Sequence, residues 1–331
     1  MLNQKEITQL EKNDSVDHYL LVRKADVRLT KSNKEFLSLD LGDTSGSISC
    51  NVWDNVDSIF SEIKSGNIVK VKGSIEEYQG NLQIRVYSIK IVNETEGISP
   101  TDFLPHSKRD IAVMQKEFEE RLNKISNEYL KSLLKLIFTD ENFENYSKVP
   151  AGKSWHHSYV HGLLEHTLEI IRICDLMCDI HPEINRDLLI SGAMMHDFGK
   201  TEELNFEKNF DYTDKGKLLG HIVISAMLVN EKAKEIKDFP EELKNLLIHI
   251  ILSHQGKLEY ASPVVPKTLE AITLYQADEL SAKVNAYKNA ITSDSRGESK
   301  WTKYISLIST ELYNHGLTPE AEEEINKTLF D

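Results

Sequence analysis

Three cysteines in 331 residues are too few for a disulfide scaffold, and no stretch approaches the ~18 consecutive apolar residues of a membrane-spanning helix. The opening MLNQKEITQLEKND is too polar to be a secretory signal. Internal repeats and low-complexity tracts are missing too. Nor is there an excess of positive charge. The 39 Lys and Arg against 53 Asp and Glu leave a net −14, which argues against a general nucleic-acid coat protein. These absences predict a cytoplasmic globular protein that does not enter a membrane. Cys174 and Cys178, four apart on one predicted apolar helix face, and Cys50 read as reduced packing residues.

What is present has an ordinary globular composition, 40% hydrophobic and 28% charged, and enough length for two domains with separate cores. Charge is unevenly spread. Residues 1–95 hold 12 Lys and Arg against 14 Asp and Glu, whereas the remainder holds 27 against 39. The first segment is therefore the expected home of any contact with a polyanion.

Periodicity divides the chain in the same place. From about Val16 to Val92 apolar and polar residues alternate in short runs: LSLDLGD, a turn at Gly46, SISCNVW, then NIVKVKGSIEEYQG and NLQIRVYSIKIV. A helical stretch, DNVDSIFSEIK, separates SISCNVW, the third run counting the one that opens near Val16, from NIVKVKGSIEEYQG. Three strands, a helix and two strands are the order of an OB-fold, a five-stranded β-barrel. Aromatic and basic residues interleave along it, and Phe36, Trp53, Tyr78, Lys72 and Arg85 are the candidates for holding a single strand by stacking and charge. Residues 93–110, with Gly97, Pro100 and Pro105, read as a linker. Helical periods follow near 111–125, 127–138, 162–180, 185–198, 218–236, 240–254 and 265–290, with one or two more from 301 onward. The expected organisation is a barrel over 1–95, a linker and leading helices over 96–150, and an all-α domain over 151–331.

The helical half carries polar residues where its phase predicts the interior. His166 shares a face with Leu163, Ile170, Ile173 and Met177. His196-Asp197 ends the helix DLLISGAMMHDFGK, and Gly199 is expected to let the chain turn away. His221 lies with Ile224 and Leu228, His254 with Leu247, Ile250 and Ile251, and Asp278 over Leu274 and Ala271. One inward imidazole is usually a satisfied core residue; the same pattern on five helices points to a metal ion that satisfies them together. His249 lies about 140° around the helix from His254 and is excluded.

The order His…His-Asp…His…His…Asp resembles the HD-domain metal-dependent phosphohydrolases over residues 150–290. The combination of an OB-fold with PAGKSWHHSYVHGLLEHTLEI, MMHDFGKTEE, YTDKGKLLGHI, LSHQGKLEY and ADELSAK resembles, over nearly the whole chain, the YhaM family of 3′-to-5′ exoribonucleases. The resemblance implies a homo-oligomeric phosphodiesterase acting on single-stranded RNA, with single-stranded DNA left open. It also implies one or two divalent ions, manganese favoured and Mg²⁺, Fe²⁺, Co²⁺ or Zn²⁺ open. On this reading His166, His196, Asp197 and Asp278 hold the first metal, and Asp197 bridges to a second completed by His221 and His254. Asp197 and Lys200 serve the chemistry, in which a metal-activated water attacks phosphorus. His157 is a candidate for phosphate contact or protonation of the leaving group.

Two positions depart from the pattern. Gln255 stands where many two-metal relatives have a second histidine, and His161 stands where similar proteins have glycine; His161 either approaches the cleft or caps the helix. The competing functions are hydrolysis of small nucleotides, which would need no strand-holding barrel, and a non-enzymatic nucleic-acid-binding regulator, which would need no intact ligand set.

Overall fold

The computed structural model describes residues 4–30, 32–53, 62–78, 80–92, 98–152, 155–205, 211–293 and 299–317. They belong to two compact units, Met1–His106 with Asn205–Asp211, and Ser107–Leu204 with Tyr212–Asp331. Most of the helical stretch expected between the third and fourth strands, residues 54–61, lies outside the described residues, as does Lys31.

The first unit is a closed barrel of β1 (Ser15–Leu29), β2 (Glu35–Gly42), β3 (Ser47–Val52), β4 (Ile68–Tyr78) and β5 (Asn81–Ile91), in the order β1-β2-β3-β5-β4. All pairs are antiparallel except β3 with β5. Alternation makes the core, since Leu37, Leu39 and Leu41 of β2 point inward against Val22, Cys50, Val69, Val71, Ile75 and Ile84. β1 pairs with β4 along its first half and β2 along its second. The register shift between Val22 and Lys24 is a bulge where one long strand can bend around the barrel.

The second unit is helical: α1 (Ile111–Asn123), α2 (Glu128–Ile137), α3 (Asp140–Lys148), α4 (Gly162–Ile180), α5 (Arg186–Met195), the single turn α6 (Lys200–Glu203), α7 (Asp214–Ala233), α8 (Glu241–Ser253) and α9 (Leu269–Ser293). Among the described residues no helix is long and apolar enough to cross a membrane. α3 has no counterpart in the apolar periodicity. Its sequence DENFENYSK buries only Tyr146 and Ser147; the Thr139 cap and two acids in its first turn support it, and Phe143 and Tyr146 pack on Phe118 and Phe138. The helix expected from 301 onward is not there within residues 299–317, which carry the bridges Trp301↔Tyr313 and Ile305↔Thr310. Trp301, Ile305, Thr310 and Tyr313 are β-branched or aromatic and suit extended pairing better than a helix. Residues 318–331 lie outside the described part.

Two features of this unit serve the site. α5 is buried along most of its length and α4 along its first half, so polar groups on their inner faces are fixed by core packing. Phe198, directly after Asp197, is wedged against Phe138 at 5.1 Å and stacked on Tyr146 at 5.7 Å between ring centroids. Tyr146 is in turn bonded to Thr167 of α4 at 2.6 Å.

Candidate metal centre and nucleic-acid face

Two groups of ligating atoms converge in the helical unit: His166, His196 and Asp197, and Asp197, His221 and His254. Asp197 is common to both. His166, His196 and His254 are wholly buried and Asp197 almost so. Asp278 joins through His166, its Oδ1 lying 3.0 Å from Nε2.

Local structure decides how each imidazole is aimed. The Nδ1 atoms of His196 and His254 lie 2.8 Å from the Ala193 carbonyl and 2.7 Å from the Ile251 carbonyl. A carbonyl only accepts, so each Nδ1 carries the proton and each Nε2 presents a lone pair. Nδ1 of His221 donates to the Glu203 carboxylate at 3.0 Å, which leaves its Nε2 the same way. For His166 the chain is longer. Ser281 donates its hydroxyl proton to Glu169 at 2.6 Å, so its Oγ accepts from His166 Nδ1 at 2.9 Å, and again Nε2 is left with a lone pair.

Each lone pair then faces a carboxylate oxygen. His196 Nε2 is 3.3 Å from Asp197 Oδ2, and His221 and His254 Nε2 are 3.2 and 3.6 Å from Asp197 Oδ1. Two acceptors at such distances in a buried site repel unless a proton or a cation lies between them. His196 Nε2, Asp197 Oδ1 and His221 Nε2 are buried without any hydrogen-bond partner. Neutral imidazoles and carboxylates so arranged fit a divalent metal.

The protonation tendencies agree. Burial holds His166 well below the usual imidazole range and brings His254 down to about 4, so both are neutral ligands near pH 7. For Asp197 burial pushes upward, but Lys200, His196 and His221 outweigh it and keep the carboxyl well below its ordinary value. His196 departs from this: burial pushes it down, but Asp197 and other partners push it up, and the net shift is upward.

Two glycines make the geometry possible. Gly199 keeps a helical backbone (φ −59°), so it does not turn the chain away as expected from its position. Its use is proximity: a Cβ there would lie 2.3 Å from the His221 carbonyl oxygen. Gly220 has φ +72° and kinks α7 immediately before His221. The kink brings the His221 backbone N–H to Glu203 Oε1 at 3.0 Å.

Lys200 is buried with its ammonium on Asp197 Oδ2 at 2.5 Å and on the Ala151 carbonyl. It also lines a cleft of about 270 Å³ next to the centre, together with His221, Trp155, His156 and Tyr212. His157 is elsewhere. Its ring is fully buried with Nε2 3.3 Å from Glu169, although it and the His156 ring are both centred 5.1 Å from that of His166. Of the neighbours His156 and His157, it is therefore His156 that lines the cleft. Sequence phase gave no means of choosing between them, because both stand in a loop rather than on a helix face. Glu203 was missed for another reason: one acid among 53 carries no signal until its fold neighbours are known.

The remaining positions are bland. His249 accepts from the Lys267 backbone N–H at 3.0 Å and stays outside the centre. Gln255 turns its amide nitrogen toward His254 Nε2 at 3.2 Å. His161 precedes α4 with φ +70° and places Nδ1 2.5 Å from the Ser147 carbonyl, so it ties the helix start to α3.

On the barrel, Phe36 and Trp53 stack with centroids 4.6 Å apart, and Trp53 is nearly half exposed. Arg28 stands opposite Phe36 in register and Arg85 opposite Asn51, so these side chains share the outer face of β1, β2, β3 and β5. Tyr78 is at the β4–β5 turn, opposite Asn81. The β2–β3 face with the β4–β5 loop is the surface through which OB-folds bind strands. Lys72 is not on that face. It pairs in register with Asp17 on β1 and holds its carboxylate at 3.2 Å.

Comparison with known proteins follows the same division. The family model described as an OB-fold nucleic acid binding domain matches residues 22–92, and the HD domain model matches residues 163–283. The "3'-5' exoribonuclease YhaM" of Bacillus subtilis (strain 168) is 32% identical over 288 residues, 87% of this chain and 91% of its own. The protein of the same name from Geobacillus sp. (strain WCH70) is 32% identical over 296 residues, 89% of this chain and 90% of its own. Among solved structures, a domain of replication protein A from Methanococcus maripaludis is 30% identical over 27% of this chain and 94% of its own, with a TM-score of 0.24, too low to bear on the fold.

Proposed function

The chain belongs to the YhaM family of 3′-5′ exoribonucleases, and we propose that it shortens single-stranded RNA at the Asp197 centre, releasing one nucleoside monophosphate at a time. One observation carries this reading: three lone-pair nitrogens face the two oxygens of a single buried carboxylate. His166, His196, Asp197 and Asp278 would hold one ion, and Asp197, His221 and His254 a second. Imidazole mixed with carboxylate suits manganese, and iron, cobalt, zinc or magnesium are the alternatives for a titration to separate. When bound, such an ion lowers the pKa of a water and offsets charge on phosphoryl oxygens.

The chain's own groups orient and neutralise. The backbone carbonyls of Ala193 and Ile251 fix the tautomers of His196 and His254, and Glu203 does so for His221. Lys200 places a permanent positive charge between Asp197 and the cleft, where a phosphoryl oxygen would arrive. Hydrolysis joins the water oxygen to phosphorus and breaks the bond to the 3′ oxygen of the preceding nucleotide, which takes up a proton as the water gives one up. Residues 151–331 cut, residues 1–95 bind the strand through Phe36, Trp53, Tyr78 and Arg85, and residues 96–150 join them. The free thiols of Cys50, Cys174 and Cys178 fit a reducing cytoplasm. A homo-oligomer belongs to the same reading, and light scattering reads it directly.

The test is incubation of purified protein with 5′-labelled single-stranded RNA and DNA in Mn²⁺, Mg²⁺ or EDTA. The expected result is a ladder descending from the 3′ end of RNA, strongest in Mn²⁺ and gone in EDTA. RNA that stays intact in every metal would overturn the reading, and the DNA lanes decide how far the sugar matters.

A further inference from the structure

The cleft beside the centre is built from one unit of the molecule, and its lining mixes two chemistries. Trp155 and Tyr212 are aromatic; Lys200, His156 and the ligand-bearing His221 supply charge and imidazole nitrogen, and Glu203, also in the lining, is held by His221. Trp155 belongs to the loop that enters α4, which carries His166. Tyr212 lies two residues before α7, which carries His221. The loop is held in a strained form, since His157 has φ +42° while its side chain is fully buried. At about 270 Å³ the cleft is near the lower end, roughly 300 Å³, of clefts that enclose small ligands. That is room for one nucleotide rather than a run of them.

We propose that this cleft seats the 3′-terminal nucleoside of the substrate. Its base lies against Trp155 and Tyr212 while its 5′ phosphate reaches Lys200, His156 and the Asp197 centre. The proposal rests on the exoribonuclease reading and adds the reason that cutting begins at an end: a cleft with aromatic lining next to the scissile phosphate accepts one unpaired terminal base. Stacking uses the π-face that every base has, so the seat reads the presence of a base and is indifferent to its identity. His156 Nδ1 is buried without a partner and gives the phosphate side a polar group that nothing else satisfies.

The experiment pairs two variants, W155A and Y212A, with two 5′-labelled RNAs that differ only in a normal or an abasic 3′-terminal residue. On the normal end, each variant is expected to lower kcat/KM by about tenfold or more, mainly through KM. On the abasic end, wild type should already be slow and the variants should add almost nothing. A penalty equal on both ends, or no penalty on either, would overturn the seat. Tyr212 is well exposed, so Y212A tests the idea even if W155A misfolds. Failure of the exoribonuclease reading looks different, because wild type would then leave both RNAs intact.

Discussion

Two lysine–aspartate pairs separate the halves of this molecule. On the barrel, Lys72 meets Asp17 at 3.2 Å with more than half of each side chain exposed. In the helical unit, Lys200 meets Asp197 at 2.5 Å with both almost completely buried. The contact chemistry is identical and the consequences are not. Water screens the first pair, and either partner can be lost with little effect. The second pair is surrounded by imidazoles whose lone pairs are aimed at the same carboxylate, so removing one member leaves the others buried and unpaired. Barrel contacts are individually small and work by addition. Contacts at the centre are interdependent.

Substitutions should expose that difference in order of size. Asp197→Asn keeps the shape but removes the shared charge. Exonuclease rate is expected to fall by about three orders of magnitude and bound divalent metal to disappear, with the far-ultraviolet circular dichroism unchanged. An active Asp197→Asn enzyme would sink the idea of a shared ligand. Glu203→Gln comes next. It loosens His221 without touching a proposed ligand atom, and manganese affinity measured by titration should drop about 10- to 100-fold. Wild-type affinity would mean that the Glu203–His221 bond does not orient the centre. The smallest effect belongs to the barrel. Phe36→Ala with Trp53→Ala should raise KM for long single-stranded RNA about tenfold and leave a dinucleotide substrate unaffected. Lys72→Ala, away from that face, should change neither by more than about twofold. Equal losses on long and short substrates would erase the distinction between halves.

Legibility in the sequence followed burial. Alternation disclosed all five strands because one face of each enters the barrel core, and the phase of α4, α8 and α9 put His166, His254 and Asp278 inside. α3 was illegible because only two aromatics, Phe143 and Tyr146, anchor an otherwise polar run, too few to make an apolar stripe. His156 escaped because a loop has no period, and Glu203 because a positioning acid resembles a surface one until its partner is found. Gly199 showed the opposite failure. Its position suggested a helix stop, whereas its use is to let the His221 backbone come close. Contacts between helices made by the absence of a side chain leave no trace in hydrophobic pattern.

The unpartnered atoms at the centre also bear on how firmly the domain is held together. Each buried polar atom without a partner costs roughly 1–3 kcal/mol, and His196 Nε2, Asp197 Oδ1 and His221 Nε2 share one small volume. Each of these atoms is one that a bound ion would satisfy, removing that cost. An ion that relieves it binds the folded chain and not the unfolded one, so occupancy adds directly to the melting temperature. Chelation would then do more than stop turnover; it would soften the α5–α7 junction and shorten the life of the enzyme on storage.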